Sequence, residues 1–333
     1  MIRPAIAIAF LIANLAGAEA QERVVIGTQR LTDNGALFLA AAGGYFKAEG
    51  VDLGMTAYDS AQAVAETLAS GTTDFGLAGF TPASSNLAGK GLIKAIAAQA
   101  REKRGYEGTE IVASNIGFNK GVHKFEDLAN KSIAISALGP VSQYQLEQIA
   151  RIKRIDLNRM TVKPMKTLDA IARAVGTSEV DAAIMPAPHA RELLAANQGK
   201  LVGWYSELDE QQLGALFVST RMIETRRDVV EKFVRAYLRG AADYAAALLR
   251  KDRNAKRTSD TKSHEAATTI ARYVYPDRGE SGAATVEAGA YFIEPQARLD
   301  VADIERQTDW YKAQGLVDRN VNARDLVDPS FIK

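Results

Sequence analysis

Two successive runs of short apolar segments alternating with amphipathic stretches fill most of this sequence and leave few folds open to it. Val24-Val25-Ile26, Val51 to Thr56, Phe75 to Ala78, Ile93 to Ala98 and Glu110 to Ser114 are each short and apolar enough for a strand. Between them, Ala36 to Lys47 and Ala61 to Ser70 read as helices, the second stopped by Gly71. The pattern then restarts. Ser132 to Ser136, Thr161 to Lys163, Ala182 to Met185 and Lys200 to Trp204 read as strands, and Val141 to Arg154, Thr167 to Val175 and His189 to Asn197 as helices. Gly214 to Ser219 is a further strand, and from Thr225 the chain is mostly helical. Strands separated by helices of about 10–15 residues predict βαβ units and parallel sheets. The doubled pattern predicts an α/β protein of two lobes with a cleft between them. The candidate crossings are Ser114 to Gly121 and Leu213 to Phe217.

The N-terminus carries a different signal. Met1-Ile2-Arg3 is a short positive start, Pro4 to Ala16 is apolar apart from Asn14, and Ala18-Glu19-Ala20 offers small residues where a signal peptidase reads. Residues 1–20 are therefore expected to be a cleaved export signal, leaving Gln21 as the new N-terminus. A buried N-terminal helix is the alternative. The apolar stretch is short for a permanent membrane span. The sequence contains no cysteine, so an exported form has neither a disulfide framework nor a lipid-attachment cysteine. These features predict a periplasmic protein without a membrane anchor.

The net charge of +1 argues against nucleic acid or an anionic membrane as the main partner. The basic run Arg250 to Arg257 lacks interleaved aromatics and reads as a solvated helix end and loop. His123, His189 and His264 are far apart and lack metal-ligand spacing, so no metal, cofactor or catalytic residue is expected. No Gly-x-Ser-x-Gly elbow is present, and Gly89-Lys90-Gly91 lacks the rest of a phosphate loop.

Gly44-Tyr45-Phe46-Lys47-Ala48-Glu49-Gly50-Val51-Asp52-Leu53 resembles a signature of the ABC-transporter substrate-binding proteins of the nitrate, sulfonate, taurine and thiamine-precursor type. Ala65 to Gly76 resembles the same family's "A-L-x-x-G-x-x-D-hydrophobic" step, and Val175 to Ala183 repeats its "G-x-x-D-A" part with one extra residue. Glu126 to Ala134 resembles the family's "D-L-x-G-K-x-I" segment, with Asn130 where glycine is usual. The resemblance runs from about Val24 to Leu249 and leaves the tail after Asp252 unmatched. It implies a type 2 periplasmic binding protein fold, with residues 21–115 and 216–333 in one lobe and 116–215 in the other. It further implies a monomeric receptor that captures a small-molecule ligand by lobe closure and hands it to the transmembrane subunits of an ABC permease. The preferred ligand is a small organic anion, a carboxylate or sulfonate. A neutral pyrimidine-like thiamine precursor is the alternative ligand. A pyrimidine-synthase-like enzyme on the same fold is the alternative activity, although those enzymes depend on a cysteine-rich segment.

In open α/β sheets ligands bind beyond the carboxyl ends of strands, where helix N-termini present free N–H groups. The loops in those positions supply the candidate ligand-binding residues: Gln29, Arg30, Leu31, Thr32 and Asn34 after the first strand, Ser60 and Ala61 after the second, and Phe80 and Thr81 after the third. The second lobe adds Gly139, Val141, Ser142, Lys166, Ala187 and His189. Helix capping alone would account for Ser60, Thr81 and Ser142. Gly139 to Ser142 offers backbone N–H groups and a hydroxyl to an anion, though Pro140 has no N–H. Arg30, Arg101 and Lys166 are the candidate cations, each also suited to a surface role, which the neighbours Glu102, Lys103 and Arg104 favour for Arg101. Phe80, Tyr58 and Trp204 could wall the cleft, but the usual burial of aromatics favours the core for each.

Overall fold

The computed structural model describes residues 21–136, 140–165 and 167–332; the side chain of Pro140 is outside that description, as is the whole of the expected export signal. Two five-stranded sheets, each flanked by helices, form two lobes. The first has the order 51–57, 22–28, 75–79, 214–219, 93–98, and the second 200–204, 109–113, 182–186, 132–136, 161–165. Ile93–Ala98, Ser132–Ser136, Lys200–Trp204 and Gly214–Ser219 have the bounds expected of them.

Neither sheet is purely parallel, contrary to the βαβ expectation. Glu22–Thr28 pairs in parallel with Val51–Ala57 and Phe75–Gly79, but Gly214–Ser219 inserts antiparallel between Phe75–Gly79 and Ile93–Ala98. In the second sheet Thr109–Ala113 plays the same part, antiparallel to both Ala182–Pro186 and Lys200–Trp204. Each antiparallel strand is the first one laid down after the chain changes lobe, so it enters its sheet from the opposite end to the strands of the βαβ units.

This pairing corrects the expected lobe boundaries. Thr109–Ala113 belongs to the second sheet, so the first crossing lies before residue 109 rather than at Ser114 to Gly121. Gly214 already pairs with Gly79, so the return crossing ends before residue 214 rather than running from Leu213 to Phe217. Ala100–Glu102 and Gln211–Gln212, one from each crossing, pair antiparallel, and Phe292–Ile293 from the tail adds a third strand. The crossings were misplaced because their strands are short and partly polar, with no period-2 signal to betray them.

The single helix expected over Ala36 to Lys47 is two helices, Gly35–Ala42 and Tyr45–Ala48. Gly44 adopts φ 68° between them, a conformation natural to glycine that ends a right-handed helix. The tail helices Thr261–Val274 and Gly279–Ala288 bury apolar faces in the same core as the first sheet, alongside Arg227–Leu248. The helix Val301–Ala313 covers another face of that lobe through Ile304 and Tyr311. The basic run between Arg250 and Arg257 ties the tail to the body. Lys251 stands over the Tyr106 ring, and Arg257 donates to the carbonyls of Glu287 and Ala288. No described helix is long and apolar enough to cross a membrane.

Candidate functional site

A cleft of about 390 Å³ opens between the lobes, lined by residues that follow three strands of the first sheet and three of the second. Gln29 and Leu31 follow Glu22–Thr28, Asp59 to Ala61 follow Val51–Ala57, and Phe80 and Thr81 follow Phe75–Gly79. Across from them stand Ser136, Val141 and Ser142, then Thr167 to Asp169, and Pro186 at the end of its strand. Thr109, Gln145, Ile184, Met185, Leu213 and Tyr291 complete the wall. A side recess of about 120 Å³ contains Arg30, Thr32, Pro188, His189 and Tyr275, and shares Leu31, Asp33, Leu168, Pro186 and Tyr291 with the cleft.

Several expected residues thus meet in one place. Ser60 and Thr81 both cap helices and line the cleft. Ser60 Oγ accepts from the Ala63 N–H at 3.1 Å, and Thr81 exchanges bonds with Ser84 in a capping box. Ser142 Oγ instead donates to the Ser136 carbonyl at 3.2 Å. Phe80 is wall and core at once, edge-on to Phe217 at 5.4 Å. Asn34 is buried behind the wall. It donates to the Gln29 carbonyl at 2.8 Å and accepts from Gln99, which pins the loop that carries Asp33. Ala187 is buried outside the cleft lining, its N–H bonded to the Gly108 carbonyl at 2.8 Å. Arg30 and His189 reach the side recess and not the main cleft. Burial lowers the His189 pKa, which favours the neutral imidazole. Gly139 and Lys166 lie outside the described residues. Trp204 faces Arg191, Tyr58 packs beneath Gly27, and Arg101 pairs with Asp300 at 2.7 Å, so none of these three lines the site.

Of the groups expected to hold an anion, Ser142 lines the main cleft and Arg30 the side recess. The described lining of the main cleft holds three carboxylates, Asp33, Asp59 and Asp169, and no lysine, arginine or histidine. Each stands at or just before the start of a helix: Asp33 before Gly35–Ala42, Asp59 before Ala61–Ala69, and Asp169 in the first turn of Leu168–Gly176. There the helix dipole favours negative charge, and these acids already offset it. Asp33 differs from the other two: its Oδ1 is closed off from solvent without a hydrogen-bond partner among the described residues, and burial pushes its carboxyl up to about 7. Nothing local marks it between Thr32 and Asn34, because the phenols near it, Tyr237, Tyr244 and Tyr291, come from distant segments.

A polar chain joins the cleft to the crossings. Gln145 donates to Thr109 Oγ1 at 3.2 Å and to Gln211 Oε1 at 3.0 Å, while the Thr109 N–H donates to Glu102 Oε1 at 2.9 Å. The lobes also touch beside the crossings, where Tyr144 lies near Asp209 and Asp303. Trp310 Nε1 donates to Glu147 Oε2 at 2.7 Å and its ring meets Tyr144 edge-on. On another side Arg278 and Thr285 of the tail both bond Glu192, at 2.6 and 2.9 Å.

Two α/β lobes, joined by two crossings and enclosing a cleft at their strand ends, define the two-lobed binding fold. Residues 32–247 match the NMT1/THI5-like family, and the chain belongs to it. Among solved structures it is similar to the periplasmic aliphatic sulphonate binding protein of Escherichia coli (13% identity, 92% of each chain, TM-score 0.71). It is also similar to the alkanesulfonate-binding protein of Xanthomonas axonopodis pv. citri bound to MOPS (16% identity, 92% of this chain and 98% of that one, TM-score 0.67). A desulfurization enzyme shares the fold too, at 16% identity over 93% of this chain and 97% of that one, with a TM-score of 0.67. No curated protein matches the chain in sequence.

Proposed function

We propose that this protein is a periplasmic solute receptor that closes its two lobes on a small organic molecule and delivers it to an ABC permease. The observation that carries the reading is the cleft itself, built from both lobes, mostly apolar, and bordered by hydrogen-bonding groups such as Gln29, Ser60 and Gln145. With the contacts between the lobes, ligand would favour a closed state over an open one, which lets a permease distinguish loaded from empty receptor. The sulfonate-binding relatives lend support through shared fold.

The alternative is a same-fold enzyme, which the similarity to a desulfurization enzyme keeps in view. Thermal unfolding against carboxylates, sulfonates and pyrimidines separates the two. A ligand at a hundredfold excess over its dissociation constant adds about 2.7 kcal/mol to the stability of a receptor and emerges unchanged. Turnover of a panel member, with no stabilisation by any other, would overturn the receptor reading.

A further inference from the structure

Asp33 stands where the cleft and its side recess meet, since it lines both. Its Oδ1 atom is buried without a donor among the described residues, although buried acceptors are ordinarily satisfied. Nothing cationic among the described lining residues relieves it. Arg30, in the recess, is exposed and makes no ion pair among the described residues, and neutrality is favoured for His189. The titratable groups around it are Tyr237, Tyr244 and Tyr291, buried phenols whose pKa values are raised, which keeps them protonated. Asp59 and Asp169 add negative charge elsewhere in the cleft wall. An anion entering would meet these carboxylates. A ligand N–H would supply the donor that Oδ1 lacks.

On the receptor reading, we infer that the ligand is a small organic cation, an amine or amidine, that seats an N–H on Asp33. Its apolar part lies against Phe80, Val141, Ile184 and Leu213. Asp33 is then the residue that selects the ligand's charge. Because its carboxyl sits near 7 when empty, a cationic ligand drives the proton off as it binds.

The test compares benzamidine and benzylamine with benzoate and benzenesulfonate, by thermal shift and calorimetry near neutral pH, on the purified protein and on Asp33→Asn. The nitrogen bases are expected to stabilise the wild type, and Asp33→Asn to weaken them by about tenfold or more. The variant itself should melt no lower than the wild type, because it removes a buried ionisable group and keeps the shape. Benzamidine should release a proton from the wild type, read as a dependence of the heat on buffer ionisation, and none from Asp33→Asn. Stabilisation by the anions alone, equal in both proteins, would overturn this inference and leave the receptor reading standing. Equal binding of the nitrogen bases to both proteins would also overturn it. Stabilisation by none of the four probes would overturn this inference and leave the receptor reading to the wider panel.

Discussion

Asp33 and Gly214 show how single residues shape this cleft in opposite ways, one by an unmet need and the other by the absence of a side chain. A Cβ on Gly214 would lie 1.9 Å from Gln99 Oε1 and 2.4 Å from the Ala78 carbonyl oxygen. Gln99 donates in turn to Asn34, which holds the Asp33 loop. Gly214→Ala is therefore expected to cost about 1–3 kcal/mol by overpacking. Chemical denaturation should show a lower midpoint at an unchanged slope. If Gly214→Ala leaves the midpoint in place, the close approach of these strands is misjudged. Neither role is legible locally: a glycine opening a strand and an aspartate beside a helix start are common, and only distant neighbours make these two exceptional.

Among the elements, the helix Pro82–Gly89 separates structural from ligand-facing duty. The Thr81 hydroxyl is taken up by the Ser84 N–H at 3.1 Å, and the Thr81 N–H by Ser84 Oγ at 3.0 Å. Thr81→Ala should thus cost about 1 kcal/mol of stability, measured by thermal melting, with little change in ligand affinity. A loss of affinity far beyond the loss of stability would show that the hydroxyl serves the ligand directly. The helices and most strands were readable because their signals are local: period-3.6 or short apolar runs, capped and stopped by Ser60, Thr167 and Gly71. The three short strands joining the lobes were not. Ala100–Glu102, Gln211–Gln212 and Phe292–Ile293 become strands only by pairing with one another across more than a hundred residues of sequence, and their composition does not announce it.

For the whole molecule, burial and closure set how it responds to pH and to ligand. Burial pushes the carboxyls of Asp33 and Glu102 up to about 7 and that of Asp303 to about 6. Unfolded, these groups titrate near 4, so between about pH 4 and 7 the folded state holds protons that the unfolded state releases. Their contribution is therefore most favourable at the acid end of that window and declines as pH rises through the folded values, by about 1.4 kcal/mol per pKa unit for each group. The ligand-free protein should melt several degrees higher near pH 5 than near pH 8, and Asp33→Asn should flatten that difference. A melting temperature that rises across the window would contradict it. The contact between Trp310 and Glu147 gives a second expectation. Glu147→Ala removes the acceptor of Trp310 Nε1 and Gln314 Nε2. It should favour the open form, seen as a larger radius of gyration in solution scattering of the ligand-free protein, and weaken ligand binding severalfold. Unchanged dimensions and affinity would make the contact incidental to closure.

The sequence by itself determined the α/β class, the doubled pattern, most strand and helix positions, and the loops in which ligand-facing residues stand, because these follow from periodicity, capping and turn chemistry within a few residues. Only the tertiary structure decided where the chain changes lobe, that Thr109–Ala113 and Gly214–Ser219 run against their neighbours, and that the tail beyond the family match completes both hinge and cleft through Phe292–Ile293 and Tyr291. It places Ser142 in the main cleft and Arg30 in the side recess, and sets Asp33 near Tyr237, Tyr244 and Tyr291, more than two hundred residues away along the chain. Burial is a property of the packed whole, and no local pattern encodes it.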